Sequence, residues 1–384
     1  MPAPTRIYGF DARVISDHFP GIGRYAWNLL QQLIAHLEPN ERLAVLYDPG
    51  ARSSRHPISA LKQRAPQNVE WIATSTSVFS VRNALLKPNA AWSVVHYPYY
   101  MRPLVSNVQS ITTLHDAIPF LYPRYFPSLH TRLVIWLFHY FSVQRSRRVI
   151  LVSSHALSEL TQRFPRLQQR GVVIHSAADP IFRPLPTIEA SAKLEPRFGV
   201  LPPFCLYLAS NKPHKNLPRL VEAWRVVADA LGEQTPLLLV AGHQDPRYPE
   251  AQRRAQALGL GRWVRFVGAV SDEEAAALYS SCLLFVYPSL HEGFGLTPLE
   301  AMACGAPVAC SNTSSLPEVV GDAALLFDPT SVDDIARACL TALRDEALRA
   351  RLRTASLQQA ARFSWERAAQ QTLAVYREVA EARS

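Results

Sequence analysis

The chain has 384 residues, a net charge of +9, and a composition of 48% hydrophobic and 18% charged residues. This length favours two domains of ordinary size, and the composition is that of a folded protein. No apolar run approaches the ~20 residues that a membrane-spanning helix needs. The N-terminus lacks the basic and then apolar layout of a secretion signal, so we expect a cytoplasmic location. The charge favours acidic partners, but its scattered arginines do not favour a nucleic-acid surface.

The cysteines are odd in number and contain no C-x-x-C pair, since they stand at Cys205, Cys282, Cys304, Cys310 and Cys339. Each lies among apolar or small residues. This pattern predicts buried thiols rather than disulfides or metal ligands.

In the first half, seven short apolar segments are candidate strands: IYGFDARVI, LAVLYD, VEWIAT, WSVVHYP, QSITTLHD, RRVILVSS and GVVIHSA. Between the fifth and the sixth lies LVIWLFHYF, which is too short to cross a bilayer and is typical of a buried or interfacial helix. Arg145, Arg147 and Arg148 follow it, so a contact with an anionic membrane is one hypothesis and a buried helix with a solvated end is the other.

The second half repeats the pattern more regularly, with apolar runs at 204–209, 236–242, 262–268, 283–288, 306–310 and 323–327. Amphipathic segments separate most of them. Continuous apolar strands that alternate with helices predict a doubly wound α/β domain with a parallel sheet. Two such domains would face each other across a cleft at the carboxyl ends of their strands, where ligands of these sheets bind.

The stretch FRPLPTIEASAKLEPRFGVLPP, residues 182–203, is rich in proline and polar residues and is interpreted as a linker. It divides the chain into a first domain of residues 1–184 and a second of residues 185–365. Residues 366–384 form a separate last segment that follows a helical period.

A Gly-Phe-Gly turn in HEGFGLTPLEAMACG, residues 291–305, stands between two glutamates. Glu292 falls in the loop that leaves an apolar strand, which is the end of the sheet where ligands bind. Glu300 has a structural explanation, because Thr297, Pro298 and Glu300 fit an N-cap, a first-turn proline and a capping-box partner. The two glycines indicate backbone amides that come close to a ligand.

These residues resemble the donor site of the retaining glycosyltransferases of family 4, which have the GT-B fold. The resemblance runs from YLASNKPHKNLPRLVEAW through HEGFGLTPLEAMACGAPV to SSLPEVVGDAALLFDP, and is nearest to bacterial mannosyltransferases of surface polysaccharide synthesis. Fainter similarities cover GIGRYAWNLL, TLHDAIPF and VIHSAADPIFRP in the first half.

The resemblance implies that Glu292 and the amides after it hold the hexose of a nucleotide sugar and that Glu300 holds the ribose. Lys215 would bind the diphosphate, together with Lys212 or a glycine turn, since Ser210 stands where the family usually has an arginine. The implied catalytic residues are His115, Lys215 and Glu292, and the implied donor-binding residues are Gly21, Gly23, Ser210, Lys215, Glu292, Gly293, Phe294, Gly295, Leu296, Thr297 and Glu300.

The glycines Gly21 and Gly23 are expected in a tight turn before the helix YAWNLLQQLIAHL, where a helix start attracts phosphate. Next to His115, Asp116 is expected to orient its loop or to hydrogen-bond the imidazole. Neither signal is specific without the resemblance. The resemblance also implies that the last helix, residues 366–384, crosses back to the first domain.

The expected function is transfer of a hexose, with mannose from GDP-mannose favoured, to a glycan or lipid-linked acceptor with retention of configuration. No metal or other cofactor is expected, because the sequence offers no D-x-D at a strand end. A nucleotide-sugar epimerase or phosphorylase of the same fold, and a basic nucleic-acid-binding protein, are the alternatives. The base, the hexose and the acceptor are not readable from these residue types.

Overall fold

The computed structural model describes residues 5–104, 106–126, 128–199 and 203–382. The chain forms two compact units, of which the first comprises Met1–Ser176 and Ser364–Ser384 and the second Ala177–Phe363. Both are α/β units with a parallel sheet, so the doubly wound fold class predicted from the sequence is confirmed.

In the first unit the seven strands are β1 Arg6–Asp11, β2 Glu41–Tyr47, β3 Val69–Ala73, β4 Val94–Tyr97, β5 Gln109–Leu114, β6 Arg148–Leu151 and β7 Gly171–Val173. Its helices are α1 Pro20–Ala35, α2 Ile58–Arg64, α3 Val81–Ala84, α4 Ile118–Leu121, α5 Leu129–Arg145, α6 Ser154–Arg163, α7 Leu167–Arg170 and the last helix of the chain, α16 Trp365–Glu381. The strand order is β3-β2-β1-β4-β5-β6-β7, and each predicted strand of this half is present.

In the second unit the six strands are β8 Phe204–Leu208, β9 Leu237–Ala241, β10 Val264–Gly268, β11 Leu284–Tyr287, β12 Val308–Ser311 and β13 Ala324–Phe327. Its helices are α8 Thr187–Phe198, α9 Leu217–Leu231, α10 Glu250–Ala257, α11 Asp272–Ser281, α12 Leu296–Ala303, α13 Leu316–Val320, α14 Val332–Arg344 and α15 Glu346–Ala360. The order is β10-β9-β8-β11-β12-β13, and all of the predicted strands are present.

The central strand β8 shows why these runs are apolar throughout. Phe204 and Leu206 belong to one buried cluster, while Cys205 and Tyr207 belong to another. Because successive side chains of a strand point to opposite faces, both faces of this sheet are covered by helices.

The segment interpreted as a linker is mostly helical, and that interpretation is wrong. Helix α8 spans Thr187–Phe198, with Ala190 and Leu194 buried and Pro196 in its last turn. The apolar residues at a spacing of four bury one face of the helix against the second unit, and this burial outweighs the composition that favoured a linker.

The last helix, α16, belongs to the first unit. Tyr376 packs edge-on against Tyr8, with ring centroids 5.3 Å apart, and its hydroxyl lies 2.7 Å from Nδ1 of buried His96. Trp365 and Leu373 are also buried, as the helical period predicts.

All five cysteines are buried free thiols, as predicted, and burial raises the pKa of Cys282 to about 12. Within the described ranges, we find no helix with both the length and the hydropathy to cross a bilayer.

Candidate functional site

The order of the strands marks the ligand-binding end of the second sheet. From β8 the chain adds β9 and β10 on one side, and then returns to add β11, β12 and β13 on the other. The point where the order reverses therefore lies between β8 and β11, and the carboxyl ends of these strands form a crevice in sheets of this type. The loop after β8 carries Lys215, and the loop after β11 carries Glu292.

Lys215, Tyr287 and Glu292 form a closed ring of hydrogen bonds at this point. The Lys215 ammonium donates to Glu292 Oε1 at 2.7 Å and to the Tyr287 hydroxyl at 2.9 Å, and this hydroxyl donates to the same carboxylate oxygen at 2.8 Å. Glu292 is only 9% exposed. The ammonium group has three protons and these bonds use two, so one proton is left for a ligand.

The charge state of this ring follows from its contacts. Burial acts to raise the pKa of Glu292, but the charge and hydrogen bond of Lys215, together with smaller contributions from His214 and Ser289, lower that pKa by more. Burial and the neighbouring Glu292 charge raise the pKa of Tyr287 well above its usual value. At neutral pH Glu292 is therefore a carboxylate and Tyr287 a neutral phenol.

The two loops are fixed to one another by backbone contacts. Asn216, which follows Lys215 in a left-handed conformation with φ of 59°, donates from its side chain to the carbonyls of Pro288 and Pro329. The Leu290 amide donates to the His214 carbonyl at 2.7 Å. These bonds hold Lys215 and Glu292 in position before any ligand arrives.

The turn after Glu292 is held by two serines. The Glu292 amide donates to Ser314 Oγ at 3.0 Å, and Ser315 Oγ lies 3.0 Å from the Glu292 carbonyl and 2.7 Å from that of Phe294. The Phe294 ring is buried edge-on against Phe363. Phe294 can thus offer only its backbone to a ligand, and the Glu292 amide already has a protein acceptor.

The capping interpretation of Glu300 is wrong. Helix α12 begins at Leu296, its N-cap is Gly295 with φ of 108°, and no side chain caps it. Thr297 is therefore the second helical residue and Glu300 the fifth, beyond the first turn. Glu300 is nevertheless 6% exposed, and its charge helps to raise the pKa of Tyr287.

Ser210, which stands where the family usually has an arginine, is half-buried. Ser210 accepts a hydrogen bond from the Tyr207 hydroxyl through its carbonyl at 3.0 Å, while Lys212 is exposed. Arg219, in the first turn of α9, donates to the Asn216 side chain and to the Pro329 carbonyl. Its guanidinium supports the loop that carries Lys215.

The glycines of the first unit do not lie where the sequence placed them. Helix α1 begins at Pro20, so Gly21 and Gly23 are inside its first turns rather than in a turn before the helix. A Cβ on Gly23 would lie 3.1 Å from the Val14 carbonyl oxygen, whereas a Cβ on Gly21 would meet nothing within 4 Å. Packing therefore explains why residue 23 is a glycine, since a Cβ at this position would crowd the Val14 carbonyl.

His115 follows β5, as predicted, and its ring is held in one orientation. Nε2 lies 2.9 Å from the Pro98 carbonyl and must donate to it, so Nδ1 carries the lone pair. Burial lowers the pKa of His115 to about 4, and the imidazole is neutral at pH 7. Asp116 accepts from the Ile118 amide at 2.9 Å, which is the loop-orienting role expected for it.

Sequence reasoning missed Tyr287, Asn216, Ser314 and Ser315, all of which support Lys215 or Glu292. Tyr287 ends an apolar strand, so in the sequence it looks like a residue of the hydrophobic core. Its closeness in the sequence to Glu292, which it shares with Ser289, could have indicated that Tyr287 contributes to the site.

Comparisons with known proteins show which family the chain resembles. Residues 195–359, within the second unit, match the family described as glycosyl transferases group 1. The O-antigen chain mannosyltransferase B of Escherichia coli is 35% identical over 271 residues, which are 70% of each chain. The serotype-specific mannosyltransferase WbdA of Escherichia coli is 35% identical over 260 residues, but these are 67% of this chain and only 32% of that larger protein.

Among solved structures, Anabaena Alr3699/HepE, determined in complex with UDP and glucose, has a TM-score of 0.74 at 18% identity. The match covers 97% of this chain and 99% of that one, and it supports the fold. The identity and coverage shared with mannosyltransferase B show the family. The chain therefore belongs to the group 1 glycosyl transferases and is a glycosyltransferase with the GT-B fold.

Proposed function

We propose that this enzyme transfers mannose from GDP-mannose to a glycan or lipid-linked acceptor in polysaccharide synthesis, with retention of anomeric configuration. The relatives named as O-antigen chain and serotype-specific mannosyltransferases support the sugar and the pathway class. The observation that carries the proposal is the ring of Lys215, Tyr287 and Glu292 at the switch point of the second sheet.

The ring suggests how the donor is held. The diphosphate accepts hydrogen bonds from Lys215, which stabilises the negative charge that develops on the leaving group. Glu292 gives up part of its contact with Lys215 and accepts from hydroxyls of the hexose. Glu300, which is buried, accepts from the ribose hydroxyls. In this proposal the ammonium group and backbone amides neutralise the diphosphate, so no metal ion is required.

The reaction itself needs few protein groups. The sugar passes through an oxocarbenium-like state, and the acceptor attacks the face from which the diphosphate departs, so no carboxylate nucleophile is assigned. His115, neutral with a lone pair on Nδ1, is proposed to contact the transferred sugar.

The first test is a panel of nucleotide sugars with the purified protein. A ligand of the folded state raises the melting temperature by mass action, and GDP-mannose is expected to give the largest rise. Incubation with the acceptor glycan should then yield a product with the anomeric configuration of the donor sugar. A larger rise with a different nucleotide sugar would contradict the choice of donor, and an inverted product would contradict retention.

Glu292→Gln tests the site. The amide keeps the shape of the side chain but loses its charge, and transfer is expected to fall by about 10² or more, as for other groups that stabilise a transition state. Exposed Glu273 on α11 offers a matched control, since Glu273→Gln removes a carboxylate from the same unit. Transfer by Glu292→Gln at the level of Glu273→Gln would remove Glu292 from the proposed site.

A further inference from the structure

Helix α5 carries a row of exposed apolar side chains. Leu129, Leu133, Trp136 and Tyr140 follow one another at spacings of four, three and four, which places them along one face of the helix. Leu129 is 78% exposed and Trp136 is 43% exposed, and the Trp136 and Tyr140 rings stack at 5.2 Å. We call these four residues the α5 stripe.

The opposite face of α5 already anchors the helix. Ile135, His139, Ser142 and Val143 are buried. Ser142 donates to the Tyr100 carbonyl at 3.0 Å, and the His139 ring packs on that of Tyr100. A surface helix normally turns polar residues outward, so a second apolar face, in excess of what the core uses, points to a non-aqueous neighbour.

The segment of sequence that contains α5 carries charge of one sign. Between Asp116 and Glu159 the sequence has no acidic residue and five arginines: Arg124, Arg132, Arg145, Arg147 and Arg148. Arg148 pairs with Glu378. In the ranges that the structure describes, no carboxylate forms an ion pair with the other four, which stand before, within and just beyond the helix. The segment therefore offers unneutralised positive charge to a partner.

We propose that the α5 stripe and its arginines dock this protein on an anionic membrane surface. Tryptophan and tyrosine are suited to the boundary between headgroups and acyl chains, and arginine binds acidic headgroups. The helix has 17 residues with arginine at its end, so it lies along the surface rather than across the bilayer. This inference rests on the proposed function in one respect, because a lipid-linked acceptor lies at such a surface.

A second copy of the chain is the other occupant that an apolar face could bind. A twofold dimer through the α5 stripe would bring the same patch of each copy together, and with it the arginines of both. Like charges across an interface oppose association, whereas acidic lipids attract them. The charge pattern thus favours a membrane.

The experiment is co-sedimentation of the full chain with phosphatidylcholine vesicles that contain or lack phosphatidylglycerol. Binding is expected to the anionic vesicles and to weaken as salt is added. Leu133→Ser/Trp136→Ser should lower the partition coefficient by about tenfold or more, because two apolar anchors are lost. Arg124→Gln and Arg132→Gln should each lower it by about fivefold, which corresponds to about 1 kcal/mol per arginine.

Matched controls come from the second unit. Ile188→Ser removes an exposed apolar side chain and Arg351→Gln an exposed arginine, and both should bind vesicles like the wild type. Melting temperatures of all variants establish that they are folded. Failure of the wild type to bind anionic vesicles, equal binding by the stripe variants, or dimerisation that the stripe variants abolish in analytical ultracentrifugation would each overturn the proposal.

Vesicle binding is measured without a nucleotide sugar, so it is independent of the transferase assay. A protein that binds vesicles but transfers no sugar would overturn the proposed function alone. Transfer of mannose to a water-soluble acceptor without any binding to vesicles would overturn only the proposed membrane contact.

Discussion

Glu292 was singled out from the sequence because it lies in the loop that follows an apolar strand, and Lys215 because the resemblance to the family supported a loop lysine at that place. Tyr287 could not be found in this way, since it ends the run LFVY and its ring is buried like a core residue. Its role depends on where the hydroxyl points, which is decided by the register of β11 against β8 and β12. Local sequence does not encode that register, so the third member of the ring required the structure.

The ion pair makes stability depend on pH in one direction. The pKa of Glu292 is lowered in the folded chain from its ordinary 4.5, because the charges and hydrogen bonds around it, with Lys215 foremost, together outweigh the cost of burial. The carboxylate therefore contributes stability that is present at neutral pH and is lost as the pH falls through the lowered pKa. We expect the difference in unfolding free energy between the wild type and Glu292→Gln to shrink on acidification below about 4.5.

Denaturant unfolding across a pH series measures this difference. Exposed Glu273 again supplies the reference, and the wild type and Glu273→Gln should differ little at any pH in the series. A difference in unfolding free energy between the wild type and Glu292→Gln that stays constant, or grows in acid, would show that the folded state does not stabilise the ionised carboxylate.

At the scale of elements, strands were predictable and helix starts were not. Thirteen apolar runs gave the thirteen strands of the two sheets, because burial on both faces leaves a continuous apolar signal. The start of α12 was placed two residues late, since Thr297 looked like a cap. The loop ends at Gly295, which has a φ of 108°. Glycine permits this conformation, but the presence of a glycine does not predict that it is adopted.

The two glycines of α1 provide a matched pair. Gly21→Ala has open space and lies inside a helix, so it should stabilise the protein by about 0.5–1 kcal/mol. Gly23→Ala places a Cβ 3.1 Å from a backbone carbonyl and should destabilise it. Thermal unfolding of both variants checks the signs.

The same variants test the predicted donor contact of Gly21. A loss of GDP-mannose affinity in Gly21→Ala despite its greater stability would support that contact, while unchanged affinity would remove Gly21 from the donor-binding set. Destabilisation by Gly21→Ala would instead contradict the position of this residue within α1.

For the whole molecule, the strand order is the feature that sequence could not supply. The alternation of strands and helices predicted parallel sheets, but the reversal between β8 and β11 is a property of how the strands assemble. The return of α16 to the first unit, after the 187 residues from Ala177 to Phe363, was expected from the family resemblance and not from the residues of the helix themselves.

Ending the chain after Phe363 tests the autonomy of the units. The truncation removes Trp365 and Tyr376 from the core of the first unit and leaves Nδ1 of His96 without the Tyr376 hydroxyl. The two main core clusters of the second unit contain only residues between Phe182 and Ala342. We expect the first unit to become sensitive to proteases while the second stays protected.

Limited proteolysis with peptide mapping distinguishes these outcomes. Gln370→Ala, on the exposed side of α16, is the control and should be digested like the full chain. Equal protection of both units after truncation would show that α16 is not required by the first, and equal digestion would show that the second does not fold on its own.

The late position of α16 has a consequence for biosynthesis. A ribosome makes the seven strands of the first unit early, but the helix that covers Tyr8 and His96 is made only after the whole of the second unit. Nascent domains usually fold in the order in which they are made. Here the second unit can complete its core while the earlier one still exposes apolar surface to chaperones, so the part of the protein that is synthesised first is the last to reach its native state.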